Sequence, residues 1–181
     1  MNEPGRIPLK TLGVIRTPHQ DPDQTPIQPC FAEDVLGEVE LEPGLAEGLE
    51  GLETFSHAFL IYHLHRASPG PLRVKPFLAE TLKGVFGCRH PQRPNALGLS
   101  LVRLVAVHND RVVFAGADML DGSPLLDIKP YFPNADRPEA AWGGWTEHVE
   151  RLRARRIGSR HLGPDVLSEP WGLFLPNIPL C

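Results

Sequence analysis

Cysteine is scarce in this chain: Cys30, Cys88 and Cys181 are the only three among 181 residues. An odd number at such wide spacing excludes a disulfide framework and a cysteine-built zinc site, and suits reduced thiols in a cytoplasm. No apolar run approaches the ~20 residues that cross a bilayer, so no membrane span is expected. Glu3, Pro4 and Arg6 leave no apolar signal core at the N-terminus, so secretion is not expected either. An excess of positive charge is missing too. Eighteen Lys and Arg against 22 Asp and Glu give a net charge of −4. That excludes coating nucleic acid by bulk charge and leaves room only for a local basic patch. There is no G-x-G-x-x-G after a strand, no Walker loop and no G-x-S-x-G elbow, and Gly84-Val85-Phe86-Gly87 is too short to replace one. A cofactor held by a doubly wound glycine loop is therefore not expected.

Proline and glycine, by contrast, are abundant, at 20 and 17 residues. Scattered without a repeat, they interrupt long helices and favour short strands joined by turns. Leu9 to Ile15 reads as a first strand, and a polar loop holding Pro18, Pro22, Pro26 and Pro29 follows. Val35 to Leu41 alternates apolar and acidic residues as a half-exposed strand does, and Leu45 to Leu52 reads as one or two helical turns. Ala58 to Leu64 is an apolar run that reads as a strand buried on both sides. Gly98 to Val107 and Arg111 to Ala115 flank His108-Asn109-Asp110 as a hairpin, and Leu125 to Tyr131 reads as a last strand. The expected fold is mainly β, a small barrel with short helices, not Rossmann. Trp145, Val149 and Leu152 recur at helical spacing, and Glu147 precedes Arg151 by four, which predicts a C-terminal helix over 144–156 stopped by Gly158. The expected division is a barrel over 1–141 and a C-terminal helix with an apolar tail, Trp171 to Leu180, over 142–181. That tail must pack on its own domain or on a partner subunit.

Charge is unevenly placed. Residues 33–53 carry eight acidic groups and no Lys or Arg, whereas Arg151, Arg153, Arg155, Arg156 and Arg160 crowd the C-terminal helix. This points to two faces with different tasks, or to complementary subunits. His57, His63 and His65 alternate and share a face, but no carboxylate stands at ligand spacing in that strand, so no metal is expected. Arg89 and Arg93, set among prolines, present guanidinium forks for a carboxylate or phosphate, and Asn95 offers a donor and an acceptor to a base edge. The same loop could equally tie strands together. Asp127 and Lys129 share a strand face, either to position a polar substrate or as a surface ion pair.

Five segments, read together, resemble the TsaA-like (TrmO) family. They are Leu12 to Pro18; Gly51 to Tyr62; Gly84-Val85-Phe86 running into Arg93-Pro94-Asn95 and Gly98-Leu99-Ser100; Asp121 to Pro124; and Asp127 to Tyr131, in matching order over residues 9 to about 136. The resemblance implies a small β-barrel methyltransferase that uses S-adenosylmethionine and acts as a homodimer with the cofactor near the subunit interface. It implies N6-methylation of threonylcarbamoyladenosine beside the tRNA anticodon. A paralogue acting on a small molecule, and a non-catalytic module binding the cofactor or RNA, are the rival readings. Carried over, the cofactor site would comprise Pro26, Ile27 and Gln28, then Leu64 and His65, Arg89, Leu99, and the turn Asp118, Met119, Leu120 and Asp121. Arg89 would take the cofactor carboxylate, Leu64, Leu99 and Leu120 the adenine, and Asp118 or Asp121 the ribose or amino group. Arg93 and Asn95 would bind the substrate, and Asp127, Lys129 and Tyr131 would place the acceptor nitrogen. Methyl transfer from a sulfonium is an in-line displacement that depends on alignment more than on acid or base strength. Two departures from the family pattern lie beside this site: Ile27 stands where Arg is usual, and Gly87-Cys88-Arg89-His90 replaces Ala-Thr-Arg-Ser.

Overall fold

The computed structural model describes residues 7–160, so the apolar tail Trp171 to Leu180 lies outside the described residues. The chain forms strands β1 (Gly13–Arg16), β2 (Leu36–Leu41), β3 (His57–His63), β4 (Arg73–Val74), β5 (Lys83–Gly84), β6 (Leu97–His108), β7 (Arg111–Ala115) and β8 (Ser123–Pro130). Two α-helices follow, α1 (Pro133–Asp136) and α2 (Arg151–Ser159). Six strands close into a barrel in the order β1-β2-β7-β6-β3-β8, every neighbouring pair antiparallel, while β4 and β5 pair by themselves. Closure satisfies both edges of the sheet, which an open sheet of this size would leave exposed.

The interior is filled by Ile15, Val39, Ala58, Leu60, Val102, Val112, Phe114 and Leu125, all inaccessible to solvent. They come from alternate positions on six strands, as the period-2 geometry requires. Gly37 makes room for the Phe114 ring, which fills the space its Cβ would need. The β6–β7 hairpin turns at Asn109, whose φ of 48° is the left-handed conformation that asparagine tolerates.

Three local expectations are corrected. β3 is buried on one face only: Ala58, Leu60 and Tyr62 point inward, while Phe59 and Ile61 are half-buried outside. The first strand starts at Gly13, not Leu9. The helix over 144–156 is broken: a 3-10 segment, Gly144–His148, precedes α2. Trp145 leaves the helical stripe to donate its indole N–H to the Gly87 carbonyl at 2.8 Å, and Glu147 accepts from the Gly143 N–H at 2.7 Å. Gly158 lies inside α2, with the Phe31 ring in the place of its missing side chain, and the helix stops after Ser159, where Arg160 takes a φ of 48°. The Gly158 carbonyl in turn accepts the Ile27 N–H at 2.9 Å. The C-terminal helix is thus stitched to the loop that carries Pro26, Ile27 and Gln28.

The acidic stretch is not reserved for that helix either. Glu38 and Glu40 on β2 pair with Arg111 on β7, and Glu40 also with Arg16 on β1 at 3.0 Å, all on the barrel's own surface. Of the arginines on α2, Arg153 stands 3.7 Å from Glu80.

Candidate active site

The candidate residues fall into two groups on opposite faces of the β3–β6 pair. On the inner face, register sets Tyr62 against Gly98 and Leu60 against Ser100. The Tyr62 ring lies where a Gly98 side chain would be. Its hydroxyl is 3.1 Å from Ser100 Oγ, and Ser100 donates to Asp118 Oδ1 at 2.6 Å. Tyr62 and Ser100 are 4 % and 1 % exposed, so this chain is sealed from solvent along most of its length. Asp118 as a whole is only half-buried, yet the dry surroundings of its carboxyl dominate. Burial pushes it up to about 7, opposed by the Ser100 hydrogen bond, its own backbone N–H and the Arg89 charge. Burial, followed by the neighbouring Asp118 charge, drives the Tyr62 phenol far above its usual range.

Around this point gather most of the residues expected to hold a cofactor. Arg89 donates to Gln28 Oε1 at 2.5 Å, and Gln28 in turn donates to the Ile27 carbonyl at 2.6 Å. Pro26, two residues before Gln28, is buried. The turn after Asp118 is pinned on both sides. Met119 is buried and its carbonyl accepts from Thr17 Oγ1 at 2.8 Å, while Asp121 Oδ1 accepts the Thr17 N–H at 3.2 Å. Ser123 donates to the Leu120 carbonyl at 2.8 Å and lies 3.4 Å from His65 Nδ1. Burial, then the Arg66 charge, lowers His65 below the usual imidazole range. Leu64 packs against the core, its N–H held by the Ala96 carbonyl at 2.8 Å. Arg93 turns back to the Cys88 carbonyl at 3.2 Å and Asn95 is exposed, so the loop both ties itself together and keeps groups open to a ligand.

Leu99 does not join the inner group. It points outward from β6, paired with Ile61 on β3, which is itself paired with Asp127 on β8. The next row outward is Leu101, Phe59 and Lys129. Lys129 Nζ and Asp127 Oδ2 are 2.9 Å apart, and Tyr131 stacks edge-on against Phe59 and His57 with centroids 5.9 and 6.4 Å away. The three residues expected to place the acceptor therefore share one outer face with Leu99. A register shift between Ile61 and Tyr62 creates this arrangement, because it lets Leu125 and Ile128 both point inward around Asp127. Two depressions on the described surface, one at Arg16, Pro18, Gly37 and Val113 and one at Leu78, Lys83, Trp145 and Arg153, include neither group. Among the described residues no three His, Cys, Asp or Glu side chains cluster as a metal site would need.

Tyr62, Gly98 and Ser100 are absent from the residues expected from sequence. Their signal was present but small: a glycine and a serine at inward positions of a strand where aliphatic residues are the rule.

With this geometry in view, the comparisons decide the family. Residues 14–137 match the tRNA-methyltransferase O N-terminal domain. The chain belongs to this family. A Pyrococcus abyssi protein described as a probable S-adenosyl-L-methionine-binding protein is 44 % identical over 158 residues, covering 87 % of this chain and 86 % of that one. The tRNA (adenine(37)-N6)-methyltransferase of Escherichia coli K12 is 37 % identical over 144 residues, covering 74 % of this chain and 61 % of that enzyme. The crystal structure of TrmO from Pseudomonas aeruginosa superposes with a TM-score of 0.70 at 37 % identity, covering 82 % of this chain. This chain thus spans 66 % of that TrmO chain and 61 % of the Escherichia coli enzyme. The barrel of the TrmO family is the fold described above, and no helix among the described residues is long and apolar enough to cross a membrane.

Proposed function

We propose that this chain is an S-adenosylmethionine-dependent methyltransferase that methylates N6 of threonylcarbamoyladenosine at position 37 of tRNA, in the cytoplasm. The observation that carries the reading is the convergence of Gln28, Arg89 and Asp118 at one end of the barrel. There the Arg89 guanidinium, bonded to Gln28, acts electrostatically on the buried Asp118 carboxyl, and the three come from separate segments. This pairing suits a ligand with both a carboxylate and donor groups, as the amino-acid end of S-adenosylmethionine has. Relatives described as binding that cofactor or methylating tRNA support the same reading. Asp127, Lys129 and Tyr131 place the acceptor, and Arg93 and Asn95 contact the RNA.

The functional unit in this reading is a homodimer. Leu97, Leu99 and Leu101 are 41 %, 48 % and 36 % exposed in one row, beside half-buried Ile61 and Phe59. A second copy covering them brings its own outer face to the cofactor, which neither surface depression of one copy encloses. The C-terminal region belongs to the same unit in this reading: α2 straps the loop at Ile27, whose N–H is accepted by the Gly158 carbonyl.

The test is methyl transfer to anticodon stem-loops with and without the threonylcarbamoyl group, following S-adenosylhomocysteine release. Turnover on the modified stem-loop alone is expected. Arg89→Ala should weaken cofactor affinity by about 1.5–3 kcal/mol, the range for a charged hydrogen bond. Cofactor binding without turnover on any RNA would overturn the enzymatic reading in favour of a binding module. Turnover that ignores RNA would favour a small-molecule acceptor.

A further inference from the structure

We propose that Tyr62 and Ser100 are positioning residues that hold Asp118 as an ionised carboxylate turned toward the cofactor, in a directed relay Tyr62 O–H to Ser100 to Asp118. The proposal rests on the reading of Asp118 as part of the cofactor site and adds two residues that touch no ligand.

Direction follows from donor and acceptor counting. Ser100 Oγ is 2.6 Å from Asp118 Oδ1, where its one proton must go if the carboxylate is ionised. Tyr62, 3.1 Å from the same oxygen, then supplies its proton to Ser100. No buried side-chain polar atom among the described residues lacks a partner, so the relay is complete. Its geometry is built in deliberately: the Tyr62 ring rests on Gly98, directly opposite in register, and any larger residue there would push the hydroxyl off Ser100. Ser100 thereby fixes the carboxyl through Oδ1, which sets the direction in which it meets the cofactor's amino or ribose donors. The charge acting on Asp118 is that of Arg89, from the loop before β6, and the Asp118 charge in turn acts on the Tyr62 phenol, from β3. Both Arg89 and the Ser100 hydrogen bond favour ionisation, against burial.

A ligand bearing positive charge binds the ionised form better, so cofactor affinity should rise with pH and level off above the Asp118 midpoint. Removing a donor to the carboxylate moves that midpoint upward. In Ser100→Ala the affinity profile should shift to higher pH by about one unit, and in Tyr62→Phe by a smaller amount in the same direction. Asp118→Asn should flatten it. A purely structural role would lower affinity equally at every pH. The experiment is calorimetry with S-adenosylmethionine from pH 5.5 to 9, paired with carbon-13 titration of the Asp118 carboxyl in the cofactor-free protein. Tyr62→Phe keeps the ring on Gly98 and preserves the test should Ser100→Ala fail to fold. Unchanged Asp118 midpoints in both folded variants would overturn the relay. Failure of the wild type to bind the cofactor would overturn the proposed function instead, and the carboxyl titration would still decide the relay.

Discussion

The inner and outer faces of the β3–β6 pair use alternate residues of the same two strands and solve opposite problems. Inside, Leu60 and Val102 are closed off from water, and the polar atoms of Tyr62 and Ser100 satisfy one another and Asp118. Outside, Leu99 and Leu101 stand exposed beside an ion pair, Asp127 with Lys129, that is itself open to solvent. The inner face is closed by the barrel's own strands; the outer face has apolar surface that the described residues leave exposed. A single strand pair can therefore carry stability on one side and leave the other to the association and substrate placement proposed for it, because side chains separate by parity.

The sharpest way to break this division is to truncate equal side chains on the two faces. Leu60→Ala should cost about 2–5 kcal/mol, the lost transfer energy plus a cavity in a closed barrel. Leu101→Ala, 36 % exposed, should cost under about 1 kcal/mol in urea unfolding of dilute protein. Equal losses would mean that the outer face is as much a part of the monomer core as the inner one.

How much of this was legible in the sequence follows from the same parity. Alternation such as Val39-Glu40-Leu41 gave β2 its faces, and Asn109-Asp110 marked the hairpin. The two sides of β3 were harder: Phe59 and Ile61 are apolar whether they face a core or a partner, so composition could not separate them. The register shifts at Ile61/Tyr62 and Leu104/Ala106 are also silent in sequence, yet the first brings Asp127 beside Ile61 and so into one row with Leu99. At the site, Arg89 was legible as a guanidinium fork among prolines, but Gln28 and Asp118 were joined to it only through family resemblance, since the three are 29 or more positions apart. Ser100 lay inside the Gly98-Leu99-Ser100 segment that carries the resemblance, but sequence could not show that it faces inward to bond Asp118. In the C-terminal region the helical pattern of Trp145, Val149 and Leu152 was real as spacing, but the tertiary bond from Trp145 to Gly87 won over it.

The proposed dimer sharpens the comparison at intermediate cost. Leu99→Glu places a charge at the centre of the outer row, where a desolvated partner surface would have to accept it. It should weaken association by about 2 kcal/mol or more while leaving the 48 %-exposed position harmless to folding. Light scattering should then fall from twice the 20.0 kDa chain mass toward one. A variant that stays dimeric would move the interface away from β6.

The smallest effect on stability is expected at Lys129, and for that reason it separates stability from chemistry most cleanly. Its ammonium is 2.9 Å from Asp127, but the side chains are 63 % and 41 % exposed, so water and salt screen the pair. Lys129→Met should change unfolding stability by less than about 1 kcal/mol. If the pair orients the acceptor base, the same variant should lower kcat/KM for methyl transfer by about tenfold, corresponding to one misaligned contact in a reaction governed by approach geometry. Cofactor affinity, which the proposed function assigns to Arg89 and Asp118, should not move. A variant with full kcat/KM would reduce the Asp127–Lys129 pair to surface electrostatics and leave Tyr131, braced by Phe59 and His57, as the residue on that face positioned to hold the base.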